Sequence, residues 1–348
     1  MKVAIDISPT KTGHKVRGIG SYTSNLIKEF RRGEWGKTEF GFFDNPATPP
    51  PADVIHYPYF DLFFHTLPVK SKTSRVVTIH DVIPLIFPEH FQVGVKGKVN
   101  FFLQKLALKN IDAIICDSQT SKEDIASRLS VPREKISVIY LAADHQFKKI
   151  DNQSRLTKVS KKYKLPKEFV LYVGDVNWNK NLQNLLESIK ITGVNLVMVG
   201  QALTNKSLPQ TQALDKLIKK MNLSEKIVKT GYIPNEDLVS IYNIASLIIL
   251  PSYYEGFGLP ILESMVCGTP VICSNVASLT EIGKDTAVFC DPTDPNDISK
   301  KIDMILKFTT IQKEKASQKL IKRASKFSWQ KVATETIKVY KSVSLLNG

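Results

Sequence analysis

Short β-branched runs alternate with longer amphipathic stretches along the whole chain. Runs at Lys2–Ile7, Val54–His56, Arg75–Ile79, Ala113–Cys116 and Ile136–Tyr140 predict a first series of strands. A second series follows at Phe169–Val173, Asn195–Val199, Ile227–Thr230, Leu247–Leu250, Val271–Cys273 and Ala287–Phe289. Near-continuous apolar runs separated by helical segments read as βαβ units, with parallel sheets covered on both faces. One such segment, Val95–Lys109, places Val95, Val99, Phe102, Leu103 and Leu106 at helical spacing, with Lys98, Lys105 and Lys109 elsewhere on the wheel. Such a stripe ordinarily faces a core. The two strand series meet in the polar, basic stretch 145–168, which holds Lys148, Lys149, Lys158, Lys161, Lys162 and Lys164. A domain boundary belongs there. The expectation is two Rossmann-like α/β domains, 1–150 and 151–326, facing each other across a central cleft, with a last helical segment at 327–348. In open α/β sheets, ligands bind outside the carboxyl ends of the strands.

Length agrees: 348 residues suit two domains of about 100–200 residues each. With 43% hydrophobic and 23% charged residues, the chain is neither disordered nor fibrous. No stretch approaches the roughly 18 consecutive apolar residues of a membrane-spanning helix. The opening Met1–Ser8 reads as a strand rather than a signal peptide. Cys116, Cys267, Cys273 and Cys290 form no CxxC pair, so they read as small buried hydrophobes in a reducing compartment. The charge is +15, from 48 Lys and Arg against 33 Asp and Glu, yet eight of those bases are Arg and the rest Lys. Direct base readout favours Arg, which weakens a nucleic-acid reading.

The most informative segment is Pro251-Ser-Tyr-Tyr-Glu-Gly-Phe-Gly-Leu-Pro-Ile-Leu-Glu-Ser-Met-Val-Cys-Gly-Thr-Pro270. Pro260 suits the first turn of a helix, and Gly268 its left-handed end, with Pro270 beyond. A helix from about Pro260 to Cys267 would open at the loop of Gly256, Phe257, Gly258 and Leu259. Its N–H groups and dipole would face an anion there. Glu255 stands at that loop, and Glu263 one turn into the helix. A nucleotide-sugar needs this set: N–H groups for a diphosphate, one carboxylate near the sugar and one for ribose hydroxyls.

The string EGFGLPILE, preceded by PS and followed by CGTPV, closely resembles family 4 of the retaining glycosyltransferases, the glycosyl transferases group 1, which have the GT-B fold. The resemblance implies that Glu255 lies near the transferred sugar and Glu263 binds the ribose. Tyr172–Leu182 resembles the segment after the first strand of the family's donor domain, and Lys180 there implies a diphosphate cation. Val197–Gly200, Gly231–Leu238 and Phe327–Trp329 resemble further landmarks, and in this fold the last helix crosses back onto the first domain. Two positions depart from the pattern. Asp175 stands where many members carry Arg, and Leu141-Ala-Ala-Asp144 replaces Asn-Gly-Val-Asp.

All six histidines lie within the first 145 residues. Thr78-Ile-His-Asp-Val-Ile-Pro84 resembles the family's first-domain segment, which implies that His80 contacts donor sugar or acceptor, with Asp81 beside it. Arg17-Gly-Ile-Gly-Ser-Tyr22 resembles the family's first loop, where Gly18 and Gly20 would admit the donor phosphate. Asp117 and Ser118 end another strand and could line the acceptor side. The aromatics of His56-Tyr-Pro-Tyr59 suit either sugar stacking, with Tyr57 on the acceptor side, or loop packing.

The resemblance implies hexosyl transfer with retention by a front-face route, in which the leaving diphosphate helps deprotonate the incoming hydroxyl. Glu255, His80 and Lys180 would be the catalytic groups. No cofactor beyond the nucleotide-sugar and no metal is expected, since no DxD-type cluster closes a strand. GDP-mannose stands ahead of a UDP-sugar, because the first domain looks like mannosyl- or rhamnosyl-type transferases of surface polysaccharide pathways. The acceptor would be a glycan or a lipid-linked sugar. Two competing readings are a basic nucleic-acid-binding protein and an inactive GT-B relative. Residues 300–341 hold twelve bases against three acids, so much of the charge sits on terminal helices. A cytoplasmic enzyme resting on an anionic membrane surface fits that distribution, and so does plain surface solvation.

Overall fold

A computed structural model describes residues 1–11, 13 and 18–345. The chain forms two compact units, Met1–Ala142 with Phe327–Gly348, and Ala143–Lys326. Residues 143–150 therefore pack with the second unit rather than the first. His14 and Arg17 lie outside the described residues.

The first unit runs β1 (Lys2–Asp6), α1 (Gly18–Arg32), β2 (Glu39–Phe43), β3 (Val54–Tyr57), β4 (Ser74–Thr78), α2 (Ile83–Ile86), α3 (Val95–Lys109), β5 (Ala113–Cys116), α4 (Gln119–Leu129) and β6 (Ile136–Val138). Its sheet has the order β2-β1-β3-β4-β5-β6, and every pairing is parallel. Strands β3, β4 and β5 are buried along their whole length, so their apolar residues do not alternate with exposed polar ones. Edge strand β2 was not among the expected strands. Its residues Glu39-Phe-Gly-Phe-Phe43 are half exposed and interrupted by Gly41, so they lack the β-branched signature.

The second unit runs α5 (Gln153–Lys162), β7 (Val170–Val173), α6 (Leu182–Thr192), β8 (Leu196–Val199), α7 (Pro209–Lys220), β9 (Ile227–Gly231), α8 (Asn235–Ile244), β10 (Leu247–Leu250), α9 (Leu259–Cys267), β11 (Val271–Ser274), α10 (Ala277–Gly283), β12 (Val288–Cys290), α11 (Pro295–Leu306) and α12 (Thr310–Ala324). Its parallel sheet has the order β12-β11-β10-β7-β8-β9. The chain moves outward from β7 through β9, then returns to place β10 on the other side of β7. That reversal is a topological switch point, where the loops after two adjacent strands part and leave room for a ligand.

The last helix, α13 (Trp329–Ser344), belongs to the first unit and packs on α1, β3 and β4. Tyr340 of α13 hydrogen-bonds Nδ1 of the fully buried His56 at 2.7 Å. Burial, reinforced by the charge of His80, lowers the His56 pKa to about 3 and keeps its ring neutral. All four cysteines are buried and none is in a disulfide. Among the described residues no helix is long and apolar enough to cross a membrane.

Candidate active site

Two loops meet at the switch point of the second unit. After β7 the chain makes a tight turn at Trp178–Lys180 and enters α6 through Asn181, which adopts a left-handed conformation at φ 54°. After β10 it runs from Pro251 to Gly258 and enters α9. Gly258 sits at φ 99°, and a Cβ there would lie 2.6 Å from Leu279 Cδ2, so both conformation and space demand glycine. Gly258 also caps α9, and it has no side chain to satisfy the first turn.

Asparagine amides tie the two loops together. Asn181 Nδ2 donates to the carbonyls of Pro251 at 2.8 Å and Pro292 at 2.6 Å. Asn179 Nδ2 donates to the Tyr254 carbonyl at 3.0 Å, while the Tyr253 N–H donates to the Asn179 carbonyl at 2.8 Å. Trp178 stacks on Tyr253 with ring centroids 5.0 Å apart. Ser278 of α10 donates to the carbonyls of Glu255 and Phe257 at 2.8 and 3.0 Å, fixing the loop from below.

This frame brings Lys180 and Glu255 together. Lys180 Nζ donates to Glu255 Oε1 at 2.7 Å, and Ser252 Oγ donates to the same oxygen at 2.6 Å. The side chains are 19% and 9% exposed, so the pair is sheltered but open to a ligand. An ammonium has three donors, and Glu255 uses one of Lys180's. An anion can therefore join Lys180 without breaking the pair.

Glu263 points elsewhere. Its Oε2 accepts from the Tyr242 hydroxyl of α8 at 2.6 Å. Burial raises the Glu263 pKa to about 7; the Tyr242 bond opposes this and the charge of Asp144 adds to it. Glu255 and Glu263 thus have different partners, and nothing in their placement suggests carboxylates flanking one carbon. At the departure from the family pattern, Asp175 Oδ1 accepts from the N–H of Val176 at 2.8 Å. Its carbonyl accepts from Tyr172 at 2.6 Å. That residue serves the loop's own backbone.

The first unit carries a second constellation. His80 follows β4 and Asp117 follows the neighbouring β5, so adjacent parallel strands set them side by side. His80 Nδ1 lies 2.6 Å from Asp117 Oδ2, with side chains 16% and 3% exposed. Burial pulls the His80 pKa down. The charge and hydrogen bond of Asp117, with Asp81 and the Pro58 carbonyl, outweigh it and leave the pKa above the ordinary value. Tyr22 meets the His80 ring edge-on, 4.9 Å between centroids. The Tyr22 hydroxyl bonds Thr78 Oγ1 at 3.1 Å, and Thr78 bonds His56 at 2.8 Å. Asp117 Oδ1 is buried without a hydrogen-bond partner.

Several expected acceptor-side residues are placed differently. Tyr57 is 1% exposed and lies in the core cluster, edge-on to Phe43 at 6.2 Å. Burial pushes its hydroxyl pKa up to about 12, and the ring has no face left for a sugar. Ser118 is fully buried and caps α4, accepting from the Ser121 N–H at 2.9 Å. Asp117 stands behind His80 rather than on a surface. Asp81 accepts from the Ile83 N–H at 3.1 Å in the first turn of α2. A Cβ placed on Gly18, which opens α1, would meet nothing within 4 Å, so no local contact demands glycine; Gly20 is buried in the same turn. Gly18–Tyr22, likened to a loop in sequence, lie within α1. Asn179, Asn181, Ser252, Ser278 and Tyr242 escaped the sequence reading, because their roles depend on which strands are neighbours.

Among the described residues, no three His, Cys, Asp or Glu side chains cluster so as to hold a metal ion. The model of the glycosyl transferases group 1 matches residues 154–327, and that of glycosyltransferase family 4 matches residues 45–147. The O-antigen chain mannosyltransferase B of Escherichia coli is 32% identical over 291 residues, which is 81% of this chain and 75% of that protein. The serotype-specific mannosyltransferase WbdA of Escherichia coli is 30% identical over 280 residues, 78% of this chain. The match spans 34% of that longer protein. Among solved structures, Anabaena HepE in complex with UDP-glucose aligns with a TM-score of 0.77 at 18% identity, covering 98% of this chain and 100% of that one. Two units built on six-stranded parallel sheets are the GT-B architecture. The chain belongs to the glycosyl transferases group 1, of glycosyltransferase family 4, and is a glycosyltransferase.

Proposed function

We propose that the enzyme moves a hexosyl group from a nucleotide-sugar to a hydroxyl of a glycan or lipid-linked acceptor, with retention at the anomeric carbon. The observation that carries this reading is the Lys180–Glu255 pair at the switch point, four residues ahead of α9. Lys180 and the backbone N–H groups of Gly256–Leu259 take the diphosphate, and Glu255 takes hydroxyls of the transferred sugar. Glu263 takes the ribose. As the bond from the anomeric carbon to the diphosphate breaks, negative charge grows on the phosphate beside Lys180. The acceptor oxygen bonds to the same face of that carbon, and its proton passes to the departing diphosphate. His80, held by Asp117, supplies positive charge and shape to the substrate side.

GDP-mannose is placed ahead of UDP-sugars because the relatives at 30% identity and above carry mannosyltransferase names. HepE, named in complex with UDP-glucose, keeps the UDP-sugars in view. The test is a donor panel, scoring nucleoside diphosphate release with and without a chelator, and product anomers by NMR. Release from one donor that survives chelation, with retained configuration, supports the reading. Binding of a donor without release marks an inactive relative, and an inverted product overturns the front-face route.

A further inference from the structure

Helix α3 faces the wrong way for a core helix. Its inner face is anchored by polar groups: Gln104 Nε2 donates to the Asp61 carbonyl at 2.7 Å and to Thr66 Oγ1 at 2.8 Å. Asn100 Nδ2 donates to the Phe63 carbonyl at 2.9 Å, and Phe101 packs against Phe63. Gln104, Ala107 and Leu108 are the buried residues of this helix. Of the apolar stripe expected in the core, Val95, Val99 and Phe102 lie outside, and Leu103 and Leu106 are half-buried. Val95 is 81% exposed, Val99 54% and Phe102 62%, and Phe64 on the anchored loop is 68% exposed. Among the described residues nine large apolar side chains are strongly exposed, and four come from this one patch.

At 3.6 residues per turn, Val95, Val99, Phe102 and Leu106 fall within an arc of about 60°. Lys98, Lys105 and Lys109 line one flank and Lys96 the other, and the helix holds no acidic residue. An apolar strip edged by lysines is the pattern of a helix lying in a membrane interface, its side chains among acyl chains and its cations among headgroups. A second copy of this chain is a poorer occupant. A two-fold contact would set lysines against lysines, and four side chains are too few for the roughly 800 Å² per partner of a stable interface.

The geometry points to the outward face of α3, with Phe64, as a docking site for an anionic phospholipid surface. The inference stands on the first unit's own surface and does not require the donor assignment. It gives the enzyme a way to meet acceptors carried on lipid.

Co-sedimentation with phosphatidylcholine vesicles, with and without phosphatidylglycerol, tests it in the absence of donor and acceptor. The full chain is expected to bind the mixed vesicles, more weakly as salt rises, and to leave phosphatidylcholine alone largely unbound. The Lys98→Gln/Lys105→Gln/Lys109→Gln variant should lose affinity by on the order of a hundredfold. Val99→Ser/Phe102→Ser should lose at least about tenfold. Both should melt like the wild type, since these side chains lie on the surface rather than in the core. Wild-type protein that ignores mixed vesicles, or variants that bind as well as it does, would overturn the inference. So would a wild-type dimer that Val99→Ser/Phe102→Ser converts to monomer in light scattering. None of these results depends on the outcome of the donor panel.

Discussion

The two units hold their charged groups in different ways. In the second, Lys180 and Glu255 come from loops on either side of a switch point and remain partly open, with asparagine amides pinning the backbone around them. In the first, His80 and Asp117 come from adjacent strand ends; His80 is nearly as exposed as Lys180, at 16% against 19%, while Asp117 at 3% is buried behind it with Oδ1 unpartnered. An unpartnered buried polar atom costs about 1–3 kcal/mol. A pair with spare donors can take up a ligand as well; a carboxylate buried behind a ring holds a charge and that ring in place. In the proposed function, ligand binding falls to Lys180 and Glu255, and positioning of the His80 ring to Asp117.

The sharpest way to break that contrast is Lys180→Ala. If Lys180 meets charge that grows in the transition state, kcat/KM falls by roughly 10²–10³-fold. Steady-state rates on the identified donor, with a thermal melt to exclude unfolding, decide it. Asp117→Asn should cost less, about tenfold, because one charge-assisted hydrogen bond to His80 is lost while the ring remains. It also has a signature that packing alone would not give. The His80 pKa is raised in the folded protein, so its stabilisation is present below the unfolded value of 6.5 and lost as pH rises through the folded value. Asp117→Asn should lower the His80 titration, followed by NMR of the ring protons, and shift that loss to lower pH. If Asp117→Asn cost more than Lys180→Ala and left the titration alone, the assignment of roles would be reversed.

Glu263 lies between these cases, because its charge is undecided near neutrality. Its pKa is about 7, raised chiefly by burial. Ribose hydroxyls donate to a carboxylate better than to a carboxylic acid, so donor affinity should rise several-fold from about pH 6 to about pH 8. Glu263→Gln should flatten that rise in a calorimetric titration. The same raised pKa makes stability fall as pH climbs from 4.5, the ordinary value, toward 7, and the substitution should remove that slope from the melting curve. An unchanged pH profile in Glu263→Gln would take Glu263 out of the donor site.

What the sequence made legible follows from which forces are local. Ala113–Cys116 and Leu247–Leu250 are buried on both faces, so their apolar runs mark them to the residue. Glu39–Phe43 pairs only with β1 and stays half exposed, so its pattern is weak. Glu255 and Lys180 were legible because their motifs are contiguous; the asparagine bonds that pin their loops span 70 or more residues and depend on strand order. The pairing of His80 with Asp117 crosses 37 residues for the same reason. Helix α3 shows the limit most plainly. Periodicity reveals that an apolar stripe exists, but not what it faces, and here the inner contacts are made by Gln104 and Asn100.

Tyr57 offers the smallest effect on turnover and the cleanest check on the first unit. A tyrosine at a strand end suits sugar stacking by sequence alone, whereas its burial and its 3.5 Å reach to the Pro46 carbonyl describe a packing residue. Tyr57→Leu separates the two. As a core change it should lower stability by about 1–3 kcal/mol through the lost ring volume, and leave kcat/KM of the folded enzyme within about twofold. As a stacking platform it would do the reverse, raising the acceptor KM with little change in melting. A raised KM with an unchanged melt would return Tyr57 to the substrate side.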